Sequence, residues 1–225
     1  MAHGLGRKPS PETPRAANLY PVTRRADYRA TVATYKYWWQ GGAWLDQGNE
    51  GTCVGHAFAH RRADSPVPTG QITHQWARQL YLEASGDSTY QQGTSGWAAC
   101  RVLASRGTIS EYHWISNPTE LRNTLLTIGS VCVGIDWYNS MFTTYSKYSN
   151  QYLRVDKASG LAGGHEVVIN GLNLAPSSGK PFYRMKNSWG TSWGKGGTAR
   201  ILAADLEDLL FNQDGDAVII TEVNA

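Results

Sequence analysis

A switch in residue pattern about halfway along the chain constrains the fold most. From about residue 52 to residue 128 the chain reads as helices, and beyond it the apolar residues fall in short, β-compatible runs. One helix is expected to begin at Thr52 and Cys53, with Thr52 as its cap, and to stop at Ser65 and Pro66. Others are expected from Thr73 over residues 73–85, and over residues 96–107, where Gly107 closes the turn. A fourth has Asn117 as cap, Pro118 in its first turn and residues 121–128 as its body. The later runs cover residues 130–137, 151–155, 165–172, 182–187, 197–202 and 217–223, with one helix near 203–211 between the last two. Helices followed by strands predict an α+β fold of two lobes, helical over about 45–118 and β-rich over about 119–225, within one domain of residues 22–225.

At 225 residues, 41% hydrophobic and with nine tryptophans, the chain is large enough for one core or for two lobes that share an interface. Its net charge of +3 is scattered except around Arg7 to Arg29 and Arg61 to Arg62, so no nucleic-acid partner is expected. Three cysteines, Cys53, Cys100 and Cys132, are too few to form a secreted disulfide framework. The first residues carry Arg, Lys and prolines where a signal peptide needs an apolar stretch, and no window suits a membrane span. A cytoplasmic or virion-associated setting without membrane insertion is the expectation. Residues 1–21, rich in Pro, Gly and Arg, read as an extended arm held against its own body or a neighbour, which makes residues 1–21 a candidate for protein assembly contacts.

Three separated segments carry the chemistry. In the first, Gln47 precedes Cys53 by six positions on a Gly-rich stretch; the second surrounds His165; the third begins Asn187-Ser-Trp189-Gly-Thr-Ser-Trp193-Gly. Their order, Gln, Cys, His and Asn-Ser-Trp, resembles the papain family of cysteine peptidases over roughly residues 40–223. The resemblance implies a helical lobe, an antiparallel β-barrel-like lobe and an active site in the cleft between them. It further implies Cys53 as nucleophile, His165 as its base, Asn187 as the residue orienting the imidazole, and Gln47 with the Cys53 N–H as oxyanion donors. Trp189 is expected to shield the His–Asn bond and, with Gly93, Thr94 and Gly163, to meet the substrate, with weaker candidates in Trp97, Asp136, Trp137 and Met141. A thiol in a first helical turn beside an imidazole suits this role, because both neighbours favour the thiolate. The implied activity is hydrolysis of peptide or isopeptide bonds through a thioester, with no cofactor and with a peptide or protein as substrate.

The chain also departs from the family pattern. Glu50 stands where secreted relatives have a disulfide cysteine, and Val54 replaces an aromatic residue. The 22 positions from His165 to Asn187 imply an added hairpin loop around residues 173–181, and only about 45 residues precede Gln47, too few for a long inhibitory propeptide. The arm itself is a candidate plug for the groove. Cys100 and Cys132 read as core residues. Cys53, His56 and His60 share one helical face, which admits a zinc reading, but no fourth ligand is evident and the metal assignment is none. His3, His74 and His113 carry no signal. Two further readings stay open: a structural module of a phage or bacterial particle that retains the fold, and a transamidase or deamidase using the same triad.

Overall fold

The computed structural model describes residues 3–11, 33–39, 42–64, 72–177 and 179–222. Among these are nine strands and five helices: β1 (Tyr35–Tyr37), α1 (Cys53–Arg62), α2 (His74–Ser85), α3 (Gly96–Ser105), β2 (Ile109–Trp114), α4 (Pro118–Thr127), β3 (Val131–Tyr138), β4 (Thr144–Lys147), β5 (Asn150–Leu153), β6 (Leu161–Asn173), β7 (Phe182–Lys186), β8 (Thr198–Leu202), α5 (Ala203–Phe211) and β9 (Asp216–Glu222). The strands form one sheet in the order β2-β9-β3-β6-β7-β8-β5-β4, with β1 also paired to β6. This refines the barrel-like expectation. The sheet is not closed, and β5 lies parallel to β8 while the other pairs are antiparallel.

Most helix ends follow their local chemistry. Thr73, Ser95 and Asn117 accept bonds from Trp76, Ala98 and Glu120 N–H groups, and Pro118 occupies the first turn of α4. Thr52 does not behave as expected. Its backbone (φ −97°, ψ 17°) is not extended as a capping residue's would be, and its hydroxyl lies 3.4 Å from Glu50 Oε2. The stop expected at Ser65 and Pro66 lies outside the described residues. Three short strands, β1, β2 and β4, went unread in the sequence. β2 matters most, because it carries the helical half onto β9 at the edge of the sheet, so the two lobes share one sheet.

The alternation of side chains along a strand divides the interior. From β3, β6 and β9, Val131, Val133, Ile135, Val167, Ile169, Ala217 and Ile219 enter the core of the β-lobe. Their neighbours Cys132, Val168, Val218 and Ile220 enter a second core with Cys53, Val54, Phe58, Leu80, Cys100 and Leu103 from the helices. Cys100 and Cys132 are thus core residues, and all three cysteines are free. α1 is buried along nearly its whole length, and α2 approaches it so closely that a Cβ on Gly55 would collide with the Ala77 carbonyl. The long connection after β6 closes as a hairpin, since pairing with β7 resumes at Asn173 and Phe182.

One buried ion pair fastens the lobes. Lys186, at the end of β7, donates to Asp64 Oδ1 beyond the end of α1 and to the His60 carbonyl, with both ionic side chains fully buried. Burial lowers the lysine to about 8 against the pull of Asp64. Removing one partner of such a pair costs about 3–5 kcal/mol because the other charge is left buried and alone. Lys186→Met is expected to lose about that much in denaturant titrations, and the double variant Lys186→Met/Asp64→Leu to recover most of it. An unchanged midpoint in the single variant contradicts this account.

Candidate active site

Cys53 opens α1 at the junction of the lobes, and His165 lies on β6 opposite Ile135 of β3. Asn187 follows β7 directly, so the β6–β7 pairing brings its side chain to the histidine. Asn187 Oδ1 accepts from His165 Nε2 at 2.8 Å and from the Ser188 N–H at 2.8 Å, which fixes the amide and leaves the buried His165 Nδ1 without a protein partner. Trp189 stacks on His165 (centroids 4.7 Å apart, planes 26°), while Trp137 meets the same ring edge-on at 4.7 Å. The Cys53 sulfur lies within hydrogen-bonding reach of the backbone N–H of Glu166, the residue after the histidine.

Gln47 is held by a residue whose role was not read in the sequence. Ser188 donates from Oγ to Gln47 Oε1 at 2.5 Å, and its carbonyl accepts from the Gln47 N–H at 2.8 Å. The Nε2 group is thereby turned toward the cleft, where it donates to the carbonyls of Glu50 (2.7 Å) and Gly4 (3.2 Å).

Gly4 belongs to the arm, and residues 3–8 of that arm run through the cleft. The His3 ring stacks on Trp189 (4.4 Å, 9°), and the Gly4 N–H donates to the Gly48 carbonyl. Gly6 brings its N–H to the Cys53 sulfur and its carbonyl to the Thr94 N–H (2.8 Å). The Arg7 N–H donates to the Gly164 carbonyl (3.0 Å), and the Lys8 N–H to the Thr94 carbonyl (2.7 Å). Arg7 and Thr94 therefore pair as parallel strands. The fit leaves no room for side chains on the two glycines: a Cβ on Gly4 or Gly6 would collide with the Glu50 or Gly51 carbonyl.

Residues 46–212 match the model of the papain family of cysteine proteases. The chain belongs to this family. It is similar to the viral cathepsin of Adoxophyes honmai nucleopolyhedrovirus, 28% identical over 141 residues that span 59% of this chain and 38% of that protein. It is also similar to cathepsin C of Schistosoma mansoni, 29% identical over 99 residues that span 42% of this chain and 22% of that protein. The matches thus span well under half the length of these curated relatives. Among solved structures, xylellain, a cysteine protease from Xylella fastidiosa, shares the fold with a TM-score of 0.70 at 16% identity, covering 99% of this chain and 97% of its own. Procathepsin B S9 from Trypanosoma congolense does so with a TM-score of 0.69 at 15% identity, covering 98% and 87%.

Of the substrate residues expected in this papain-family chain, Thr94 meets the arm through its backbone and Trp189 through its ring. Gly93 passes so close to Gly6 that a Cβ there would collide with the Gly6 carbonyl. Gly163 packs against Leu5, while the main-chain acceptor is its neighbour Gly164. Trp137 and Met141 are fully buried behind Trp189 in the β-lobe core, Trp97 is half-buried with its N–H on Ser10 Oγ (3.3 Å), and Asp136 is half-buried on β3. Glu50 ties its loop to α2 through Arg78 (3.2 Å) where secreted relatives have the disulfide cysteine. His56 and His60 are packed histidines, bonded to Thr52 O and His74 and to the Leu45 N–H respectively. Among the described residues, no helix is long and apolar enough to cross a membrane.

Enclosure sets the protonation of the pair. Burial pushes the Cys53 thiol up to about 12, opposed first by the Glu166 N–H and then by that of Gly6. Burial likewise lowers His165 to about 4, against the Asn187 bond that raises it. With the arm in place, both groups are therefore neutral at pH 7, and roughly one thiol in 10⁴ is ionised at pH 8. The rate of Cys53 alkylation by iodoacetamide in the intact chain is expected to climb steadily from pH 6 to 10 without a plateau. A plateau below pH 8 contradicts this state.

Proposed function

We propose that the chain is a cysteine peptidase that cleaves peptide or isopeptide bonds through a thioester and is held latent by residues 3–8. The observation that carries this reading is the extended peptide already in the cleft, bonded through its main chain to Thr94 and Gly164 and lying across Gln47 and Cys53. A groove that binds backbone in this way accepts peptides as a class.

In the proposed reaction, His165 takes the Cys53 proton through Nδ1, and the thiolate adds to the scissile carbonyl carbon. The oxyanion is stabilised by Gln47 Nε2 and the Cys53 N–H, and loss of one such donor typically costs 10²–10³ in rate. The C–N bond then breaks as the imidazolium protonates the leaving amine. Water, deprotonated by His165, hydrolyses the thioester and restores the thiol. Asn187, by accepting from Nε2, leaves Nδ1 as the basic nitrogen, and Trp189 keeps water from the His–Asn bond.

The arm is a ligand and not a substrate in this reading. The arm pairs parallel with Thr94, the Gly6 carbonyl is taken by the Thr94 N–H, and the carbonyl on the Gln47 donor is that of Gly4, two residues away. Residues 3–8, which an assembly contact through the arm would draw on, are committed to the chain's own cleft.

Full-length Gly6→Ala places a methyl against the Gly51 carbonyl and is expected to expel the arm. Its hydrolysis of casein and its labelling by an epoxide thiol probe should rise at least tenfold over the unmodified chain. Cys53→Ala or His165→Ala in that background should abolish both. Undiminished labelling of Cys53→Ala, or cleavage that survives it, sinks the assignment of the nucleophile. Product analysis by mass spectrometry separates hydrolysis from transamidation.

A further inference from the structure

The arm is anchored by its arginine. Arg7 Nη2 lies 2.8 Å from Asp216 Oδ2 and 2.5 Å from the Asp214 carbonyl, and the side chain is almost wholly buried. Glu166 faces the same space, fully buried, with neither carboxylate oxygen hydrogen-bonded.

The sheet builds this pocket. Glu166 of β6, Gly134 of β3 and Asp216 of β9 form one rung, with Gly134 paired to each neighbour. All three therefore present the same face of the sheet, the one toward the helices. A Cβ on Gly134 would lie 2.6 Å from Arg7 Nε, 2.7 Å from Glu166 Oε2 and 2.8 Å from Asp216 Oδ1. The missing side chain at Gly134 is the space the guanidinium fills. Two carboxylates and a carbonyl around a planar, five-donor group suit arginine better than the point charge of lysine, and they oppose an apolar or acidic side chain.

The position relative to the reacting atoms follows from the arm. Gly6 lies near the sulfur, Arg7 pairs with Thr94 on one side of it, and His3 lies at the other end of the arm on Trp189, the ring that covers His165. A leaving amine must reach His165, so the pocket lies on the acyl side of the scissile bond. Resting on the peptidase reading above, we infer that the Gly134–Glu166–Asp216 pocket selects substrates with arginine immediately before the residue whose carbonyl is attacked. Glu166 and Asp216 are specificity determinants, and the arm holds the cleft by imitating that arginine.

The test uses the full chain carrying Arg7→Glu, which sets a carboxylate against the two acids and frees the cleft. Fluorogenic peptides identical except for Arg, Lys, Leu or Glu at the second residue before the cleavage site are compared by kcat/KM. Arginine is expected to exceed leucine at least tenfold and lysine at least threefold. Adding Glu166→Gln or Asp216→Asn should cut the arginine-to-leucine ratio of kcat/KM below about threefold. Leucine cleaved as well as arginine in the Arg7→Glu chain overturns the inference and leaves the peptidase reading intact. In parallel, Arg7→Glu/Cys53→Ala is titrated with the same peptides by fluorescence anisotropy. At least tenfold tighter binding of the arginine peptide supports the pocket even where turnover is absent, in which case the peptidase reading fails and the pocket stands. Equal binding of arginine and leucine peptides overturns the pocket whatever the turnover.

Discussion

Strand alternation on β6 is the constraint on which the site depends. His165, Val167 and Ile169 face the β-lobe, where Trp137 and Trp189 pack around the imidazole. Glu166 and Val168 face the helices, where the N–H of Glu166 meets the Cys53 sulfur and its carboxylate lines the arginine pocket. A slip of one residue would exchange these faces and bury a carboxylate among tryptophans. Apolar side chains on both faces of β3, β6 and β9 oppose such a slip. Both the chemical centre and the recognition pocket thus sit on a strand whose register is determined from two sides.

Burial of the site outweighs the features that favour a thiolate. A thiol moved from its ordinary 9.0 to about 12 loses about 4 kcal/mol of preference for the ionised form. A helix N-terminus returns about 0.3–2 kcal/mol, and His165, itself lowered to about 4, offers no positive charge at neutral pH. Latency in this arrangement has two layers, a steric one in the main chain across the cleft and an electrostatic one in the loss of water. Departure of the arm removes the steric layer, while Trp137 and Trp189 go on enclosing the imidazole.

The candidate constellation was legible in the sequence because each member sits in a local motif: Cys53 after a Gly-rich turn, His165 at the head of an apolar strand, Asn187 in Asn-Ser-Trp. Helices α2 to α5 were legible for the same reason, through caps and periodicity. Thr52 misled because a capping residue type says nothing of its backbone angles. β1, β2 and β4 escaped because each is short or mixed in polarity; β1 and β2 are strands only by virtue of the distant partners β6 and β9, and β4 by its hairpin with β5. The acidic pocket escaped for a similar reason: Glu166, Gly134 and Asp216 are far apart in the chain and meet only through the register of three strands. Ser188 and Arg7 were in view as residues, but their partners, Gln47 and Asp216, lie 141 and 209 positions away.

The direction of the arm reconciles tight occupancy with survival. Main-chain hydrogen bonding to Thr94 requires only an extended peptide, and the pocket requires only a guanidinium at the right depth. Neither test distinguishes a chain running one way from a chain running the other. Attack does, because it needs a carbonyl carbon at the sulfur and a leaving amine toward His165. A segment that satisfies the pocket while pairing parallel to Thr94 gives its Gly6 carbonyl to the Thr94 N–H instead. The same residues can therefore serve as the chain's own ligand without becoming its own substrate, and the affinity of the arm is set by the pocket that would choose its replacement.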